Sequence, residues 1–347
     1  MTVIHFIYDA YSQSWPAHGP FDASNLAGAP HGLSGTEIPM FGMAAELSRM
    51  GHEVTVFSRF TNIGARGPGE PRFADLDEPK SGCDVAIAFH DGRRLDGWPA
   101  KKKVCHHQSF LVPNAQQDAT YTGADFADIY ITASDHVARH LERAYGWPKV
   151  HVVPNAWDFG VYHPWQPIPG LMIYTTSIER GFHRLLEALP YIRERVPEAH
   201  IVAFERGGPA VEKLKANPVE GVTLVKASSL NAVLAEVARA SVMAYPCDVS
   251  SPTEVFPLSL LQACATGTPV VLAPDDNLEQ LFGDGVMLSA SVKQHPRTWR
   301  EEFAGKVATM LKSVEASNYW SSRGKKFAEP FRFANTTRVL AEIVGCA

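Results

Sequence analysis

The sequence predicts an α/β protein built from two doubly wound, parallel-sheet domains in tandem, and three observations carry that prediction. Short apolar runs alternate with amphipathic stretches of helical period through residues 3–154. The alternation breaks at a proline-rich segment, NAWDFGVYHPWQPIPG (155–170). It then restarts at residue 171 and continues to about residue 290. Strands that are apolar on both faces and separated by crossovers belong to parallel sheets, and such sheets are wound in units of domain size.

The elements follow in order. VIHFIY (3–8) reads as a first strand, and a helix from about Thr36 to Met50 carries Ile38, Phe41, Ala45, Leu47 and Met50 near helical spacing until Gly51 stops it. VTVF (54–57), DVAIAF (84–89), KKVCHH (102–107), IYITAS (129–134) and VHVVP (150–154) continue the strand series. Ser134 is suited to cap a helix that Gly146 ends. Past the break come LMIYTT (171–176), a helix from about Arg180 to Glu194, HIVAF (200–204), VTLVKA (222–227), a helix over Leu230–Ala240, SVMAYP (241–246), a helix opening at Pro257, PVVLA (269–273) and VMLSA (286–290). The chain beyond about Gln294 is helical, with punctuation at Glu329 and Pro330. The expected organisation is a first domain over 1–153, a hinge over 154–170, a second domain over 171–325 and a closing helix over 326–347.

Composition narrows the function classes. The 347 residues carry a net charge of −5, with 45% hydrophobic and 20% charged residues, so the chain has ample apolar surface for two cores. A pI near 6.3 gives no footprint for nucleic-acid binding. No run approaches the roughly 18 apolar residues of a membrane span, which leaves room only for peripheral membrane contact. MTVIHFIYDAYSQ lacks the basic start and apolar run of a secretory leader. The five cysteines are odd in number and form no CxxC pair, as expected of reduced, buried thiols in a cytoplasmic protein rather than of disulfides or a zinc site.

The segment YPCDVSSPTEVFPLSLLQACATGTPVVLAPDDNLEQLF (245–282) holds the most chemistry. A strand runs into a polar loop bearing Glu254, a helix opens at Pro257, and another strand follows Gly267. Free backbone amides at a helix N-terminus beside a carboxylate suit a phosphate and a neutral polyol. Local features leave a plain strand-loop-helix crossover as the other reading.

The run Glu254, Phe256, Pro257, Leu258, then Gln262, Ala263, Gly267, Pro269, Val270 and Val271 resembles the E-x7-E region of retaining glycosyltransferases of family 4 type. Other segments fall in that family's order and approximate spacing. SGTEIPMFGMAAELSRMGHEVTVFS (34–58) is similar to its glycine loop, first helix and second strand. VCHHQ resembles the strand end that presents an acceptor-side histidine, and ITASDHVARHL followed by VHVVPNAWD resembles the helix and hinge that follow. IYTTSIERGFHRLLEAL resembles the opening of the donor domain, and FRFANTTRVLAEI resembles the closing helix that returns to the first domain.

The resemblance implies a GT-B fold, two Rossmann-like domains facing across a cleft, and retaining transfer of a hexose-type sugar from a nucleotide diphosphate sugar of UDP or GDP type. The acceptor it implies is a hydroxyl of a glycan, a lipid-linked sugar or a small glycoside, with no cofactor and no catalytic metal. By that resemblance Glu254 meets donor-sugar hydroxyls and Arg180 neutralises the leaving diphosphate, the electrostatic task such chemistry needs most. Gln262 reaches the ribose, with Ser177, Phe256, Pro257 and Leu258 on the donor side and Glu279 behind it. Gly35 offers its loop and a helix N-terminus to the diphosphate. His107 or its neighbour His106 touches the sugar or acceptor at a strand end, the alternative being strand-end histidines bonded to backbone. Asn155 and Asp158 line the hinge, and the loops over 9–33 and 108–127 set acceptor choice.

The sequence departs from the pattern in three places. Gln262 stands where a second glutamate belongs, so a charge-assisted bond becomes a neutral one, weaker by about 1 kcal/mol. Ser177 stands near a usual arginine, and Asp275 and Asp276 replace a glycine pair. These departures motivate a second reading, a non-catalytic nucleotide-sugar-binding subunit of the same fold. Asp75 and Asp77 form a D-x-D in EPRFADLDEPK, expected as a solvated loop, and His136 and His140 lack the intervening glutamate of a zinc helix.

Overall fold

The computed structural model describes residues 1–9, 20–28, 33–63, 67–108, 126–178, 180–205, 207–226, 229–247, 254–274 and 276–347, with the backbone alone at 276. The chain divides into two compact units, Met1–Phe159 with Phe331–Ala347, and Gly160–Pro330.

The first unit is a seven-stranded sheet. Its strands are β1 (Val3–Ile7), β3 (Glu53–Ser58), β5 (Arg72–Asp75), β6 (Cys83–Phe89), β7 (Ala100–His107), β8 (Ile129–Thr132) and β9 (Val150–Val152). They lie in the order β5-β3-β1-β6-β7-β8-β9, every neighbour parallel. Two very short strands, β2 (Phe21–Asp22) and β4 (Phe60–Asn62), pair with each other beside it. Ile4, Phe6, Val54, Val56, Ile87 and Val104 are fully buried, as both-face burial of a parallel sheet requires.

Three helices cover this sheet among the described residues: α1 (Glu37–Arg49), α2 (Asp135–Tyr145) and α10 (Phe333–Val344). Ser134 accepts from Val137 N–H and Gly146 takes the left-handed conformation that ends α2, both as the sequence indicates. The terminal helix α10 lies against α1 at Gly42, where a Cβ would stand 2.1 Å from the Phe333 ring. Lys102 reaches from β7 to the last turn of α10, donating to Val344 O at 2.7 Å.

The second unit repeats the plan with six parallel strands: β10 (Ile168–Tyr174), β11 (His200–Glu205), β12 (Val222–Lys226), β13 (Ala240–Pro246), β14 (Val270–Ala273) and β15 (Met287–Leu288). Their order is β12-β11-β10-β13-β14-β15. Around them lie α3 (Phe182–Arg195), α4 (Pro209–Ala216), α5 (Leu230–Arg239), α6 (Leu258–Thr266), α7 (Asp276–Phe282), α8 (Trp299–Lys312) and α9 (Val314–Ala328). Ser229 and Ser313 cap α5 and α9. All five cysteines are free and buried, and burial holds the Cys105 and Cys264 thiols up to about 12, so neither forms a thiolate near neutral pH.

The structure revises several expectations. EPRFADLDEPK is not all loop, because Arg72–Asp75 joins the edge of the first sheet. The strand is short and only Ala74 is buried in it, so it leaves no apolar run to read. β10 begins at Ile168, inside the proline-rich break, through an irregular register that Gly170 permits at φ 77°. The helix expected from Arg180 starts at Phe182, since Gly181 takes φ 114°, and Arg180 stays in the preceding turn. Pro257 is the N-cap of α6 rather than its first helical residue. The short helices α4 and α7 had no counterpart in the sequence reading.

The closing segment returning to the first unit begins at Phe331, after a 3-10 turn at Glu329–Phe331. Trp157 N–H donates to Phe331 O at 3.1 Å, and the Arg332 guanidinium lies over the Trp157 ring at 4.5 Å. Asp158 pairs with Arg332 and accepts from Phe333 N–H at 2.7 Å. Its carboxylate therefore caps α10, where a negative charge also meets the positive end of the helix.

Gly267 ends α6 at φ 90°, and a Cβ there would stand 2.2 Å from Lys325 Cε and 2.8 Å from Ser321 Oγ of α9. Gly267→Ala combines backbone strain with a clash and is expected to destabilise the second unit by about 1 to 3 kcal/mol. Urea unfolding followed through the buried Trp299 checks this; an unshifted midpoint would mean that α9 yields at no cost.

Candidate functional site

In both units the chain reverses its direction of winding next to the first strand, between β1 and β6 and between β10 and β13. Open parallel sheets hold ligands beyond the strand ends at such switch points.

In the second unit, the turn after β10 carries Ser177 and Arg180, and the loop after β13 carries Glu254. The Glu254 side chain is only 3% exposed, and its Oε1 accepts from Tyr245 Oη at 2.8 Å and faces Arg180 Nη1 at 3.4 Å. Tyr245 sits on β13 and stacks on Tyr174 of β10, the rings 5.7 Å apart and 12° from parallel. Tyr174 Oη in turn donates to Ser177 O at 3.4 Å, while Arg180 N–H donates to the same carbonyl at 2.9 Å. Two stacked tyrosines thus tie the ends of the two switch-point strands to Glu254 and to the turn bearing Arg180.

The Glu254 carboxylate raises the Arg180 pKa. Burial, and then that carboxylate, hold the Tyr245 phenol well above its ordinary value, so Tyr245 stays a donor. The Glu254 backbone is fixed separately, its carbonyl accepting from Asn277 Nδ2 of α7 at 2.7 Å.

Below the loop, α6 opens with the N–H groups of Leu258, Ser259 and Leu260 lacking acceptors inside the helix. Gln262, one turn along from Leu258, is 5% exposed, and its Nε2 has no hydrogen-bond partner among the described residues. The Thr175 hydroxyl just past β10 is also buried and unpaired. Such groups are costly to leave unpaired and stand out where a ligand's polar atoms complete the set. Phe256 and Leu258 are buried, with Phe256 against Phe282, whereas Ser177 and Glu279 are exposed. Asp275 and the Asp276 side chain lie outside the described residues.

In the first unit His106 and His107 end β7, both fully buried. His106 stacks on Phe89 at 4.4 Å, and Gln108 Nε2 bridges His106 Nδ1 at 3.2 Å and Asn155 Oδ1 at 3.1 Å. Burial lowers the His106 pKa to about 3, and its Nε2 has no partner among the described residues. His107 Nδ1 lies 3.2 Å from His90 O.

Gly35 is exposed at the entry to α1, whose first turn is closed by its own carboxylate. Glu37, fully buried, accepts from Ser34 N–H at 2.7 Å, from the Ser34 hydroxyl, and from Tyr8 Oη at 2.7 Å. The S-x-x-E spacing of Ser34 and Glu37 is the signal of such a cap. Sequence reading missed Tyr245, Asn277, Glu37 and His90, the first two because nothing local marks a partner nine or twenty-three residues from Glu254.

Among the described residues no group of three or more His, Cys, Asp or Glu side chains is arranged to hold a metal. Asp77 is 85% exposed, facing Arg59 at 3.8 Å. A pocket of about 440 Å³ near Val3, Cys83, Asp84, Trp98 and Lys101 lies at the amino ends of β1, β6 and β7, opposite the switch point. No described helix is long and apolar enough to cross a membrane. Most of the loops expected to choose the acceptor, 10–19, 29–32 and 109–125, lie outside the described residues.

Two Rossmann-like units of doubly wound parallel sheet in tandem make this a GT-B fold. Residues 170–327, nearly all of the second unit, match the family model of glycosyl transferases group 1. Over the whole chain the fold is similar to a sucrose-phosphate synthase from Thermosynechococcus elongatus, at a TM-score of 0.70 and 14% identity, covering 99% of this chain and 98% of that one. It is similar to a glycosyltransferase from Rickettsia africae (TM-score 0.68, 10% identity, 99% and 97% covered). A glycosyltransferase involved in avilamycin A biosynthesis is a third (TM-score 0.66, 14% identity, 99% and 97% covered). No curated protein matches the chain by sequence.

The buried histidines carry a pH signature. His106 in the folded unit titrates at about 3 against 6.5 when exposed, and His5, buried against Phe57 and Trp98, at about 4. Unfolding lets both bind protons, so their contribution is complete above about pH 6.5 and is lost as pH falls through the folded values. Denaturation midpoints should drop between pH 6.5 and 4, and less steeply in His106→Phe, whose ring keeps the stack on Phe89. An unaltered slope would place the titration elsewhere.

Proposed function

We propose that the protein is a retaining glycosyltransferase that moves a hexose-type sugar from a nucleotide diphosphate sugar of UDP or GDP type to a hydroxyl of a glycan or glycoside, without a metal. The observation that carries the reading is the buried Glu254 carboxylate, held on one oxygen by Tyr245 and faced by Arg180, at the switch point of the domain that matches glycosyl transferases group 1.

Breaking the bond between sugar and diphosphate leaves positive charge on the sugar ring and negative charge on the departing phosphate. Arg180 and the amides of the first turn of α6 are placed on the strand-end side to receive the negative charge. Tyr245 and Arg180 both engage Oε1 of Glu254, and Oε2, not engaged by either of them, is the oxygen that meets the sugar hydroxyls. Gln262 Nε2 supplies the neutral donor for a ribose hydroxyl, His106 and His107 belong to the acceptor-side unit, and Asn155 is held beside them through Gln108. The cytoplasm, where nucleotide sugars are made and used, is the matching location.

A second reading, a nucleotide-sugar-binding subunit without turnover, is favoured by Gln262 itself, since a neutral amide grips ribose less strongly than a carboxylate. One experiment separates them: release of nucleoside diphosphate from a panel of nucleotide sugars, with candidate acceptors and with or without a chelator. Transfer is expected and should survive chelation. Glu254→Gln should reduce it by about a hundredfold, or about 2.7 kcal/mol, while binding of the bare nucleoside diphosphate barely changes. Binding with no turnover for any donor would select the subunit reading, and a requirement for added metal would overturn the proposed charge balance.

A further inference from the structure

We propose that His90 is a positioning residue for His107: its backbone, fixed in a strained turn, holds the His107 imidazole proton on Nδ1 and so makes Nε2 the acceptor nitrogen. Among the described residues His90 is the only one other than glycine with positive φ, at 71°. Asp91 N–H donates to Phe89 O across it at 2.9 Å, which makes the segment a three-residue γ-turn. With positive φ at its centre this is the rare, strained hand of that turn.

The surroundings over-determine the conformation. His90 N–H donates to His106 O at 2.9 Å, tying the turn to the end of β7. Asp91 then caps the next turn by accepting from Arg93 N–H at 3.1 Å. Strain of this kind persists where neighbours enforce it and gathers at functional sites.

The turn presents two groups to His107. The His90 carbonyl lies 3.2 Å from Nδ1, and the His90 ring stacks on the His107 ring, centroids 5.3 Å apart and 7° from parallel. A carbonyl oxygen only accepts, so Nδ1 must carry the hydrogen. In the neutral ring Nε2 then holds a lone pair, which accepts from a hydroxyl and cannot donate to a phosphate oxygen. On the proposed transfer reading, His107 would thus select a sugar or acceptor hydroxyl and reject an anion. That consequence depends on the function; the assignment of the tautomer does not.

The test uses the full chain labelled with nitrogen-15 histidine, the tautomer of His107 being read from long-range proton–nitrogen correlations. The intact protein should show the Nδ1–H form. His90→Gly accepts positive φ and keeps the carbonyl while deleting the ring, and should show the same form. His90→Val puts a β-branched residue where φ is positive and should shift His107 toward the Nε2–H form. In whichever transfer assay is active, His90→Gly should stay within about threefold of the parent, and His90→Val should lose about tenfold or more in kcat with little change in the donor KM. An Nε2–H ring in the intact protein, or its appearance in His90→Gly, would overturn the proposal even if His90→Val fails to fold. If no donor is turned over, the function reading fails while the spectra still decide the tautomer.

Discussion

A parallel sheet delivers the carboxyl end of every strand to one edge, and the rest of this molecule depends on that constraint. Where the winding reverses beside the first strand, the two segments leaving adjacent strands diverge and open a crevice lined by both. In the second unit these strands are β10 and β13, so the turn bearing Arg180 and the loop bearing Glu254 meet although 74 residues separate them. The first unit repeats the arrangement with β1 and β6, bringing Tyr8, Glu37 and His90 to a corresponding edge.

Each crevice then faces the same problem, a carboxylate withdrawn from water. An uncompensated buried charge costs several kcal/mol. The two units solve it differently. Glu37 spends its oxygens on its own helix entry and on Tyr8, which closes the amino end of α1. Glu254 is held on Oε1 by Tyr245 and Arg180, with its backbone pinned independently by Asn277. The first carboxylate is structural, and among the described residues the second is engaged on Oε1 alone. Arg180 is 43% exposed, so its contact with Glu254 adds little to stability.

The same economy appears where the chain passes between units. Trp157 and Asp158 on the outgoing segment and Phe331, Arg332 and Phe333 on the returning one are bonded to each other within the first unit. Asp158 therefore fixes the start of α10, and the small Gly42 lets that helix approach α1 closely. Docking of the last helix is thereby tied to the residues at the unit boundary.

The sequence by itself determined the two-unit α/β plan, because burial on both faces of a parallel strand forces continuous apolar runs, and helix ends need the residue types found at Ser134 and Gly146. It also singled out Glu254, Arg180 and Gln262 as candidates, through an ordered set of motifs that resembles those of a known family. Edge strand β5 escaped because an edge needs little apolar surface, and α4 and α7 escaped because short helices carry too few periods. Only the tertiary structure decided that Arg180 lies outside its helix, that Tyr245 and Asn277 complete the Glu254 site, and that Glu37 is consumed as a cap. The reason is physical: these outcomes depend on hydrogen bonds between strand ends and loops brought together by sheet order, and no local pattern encodes a partner that only the winding supplies.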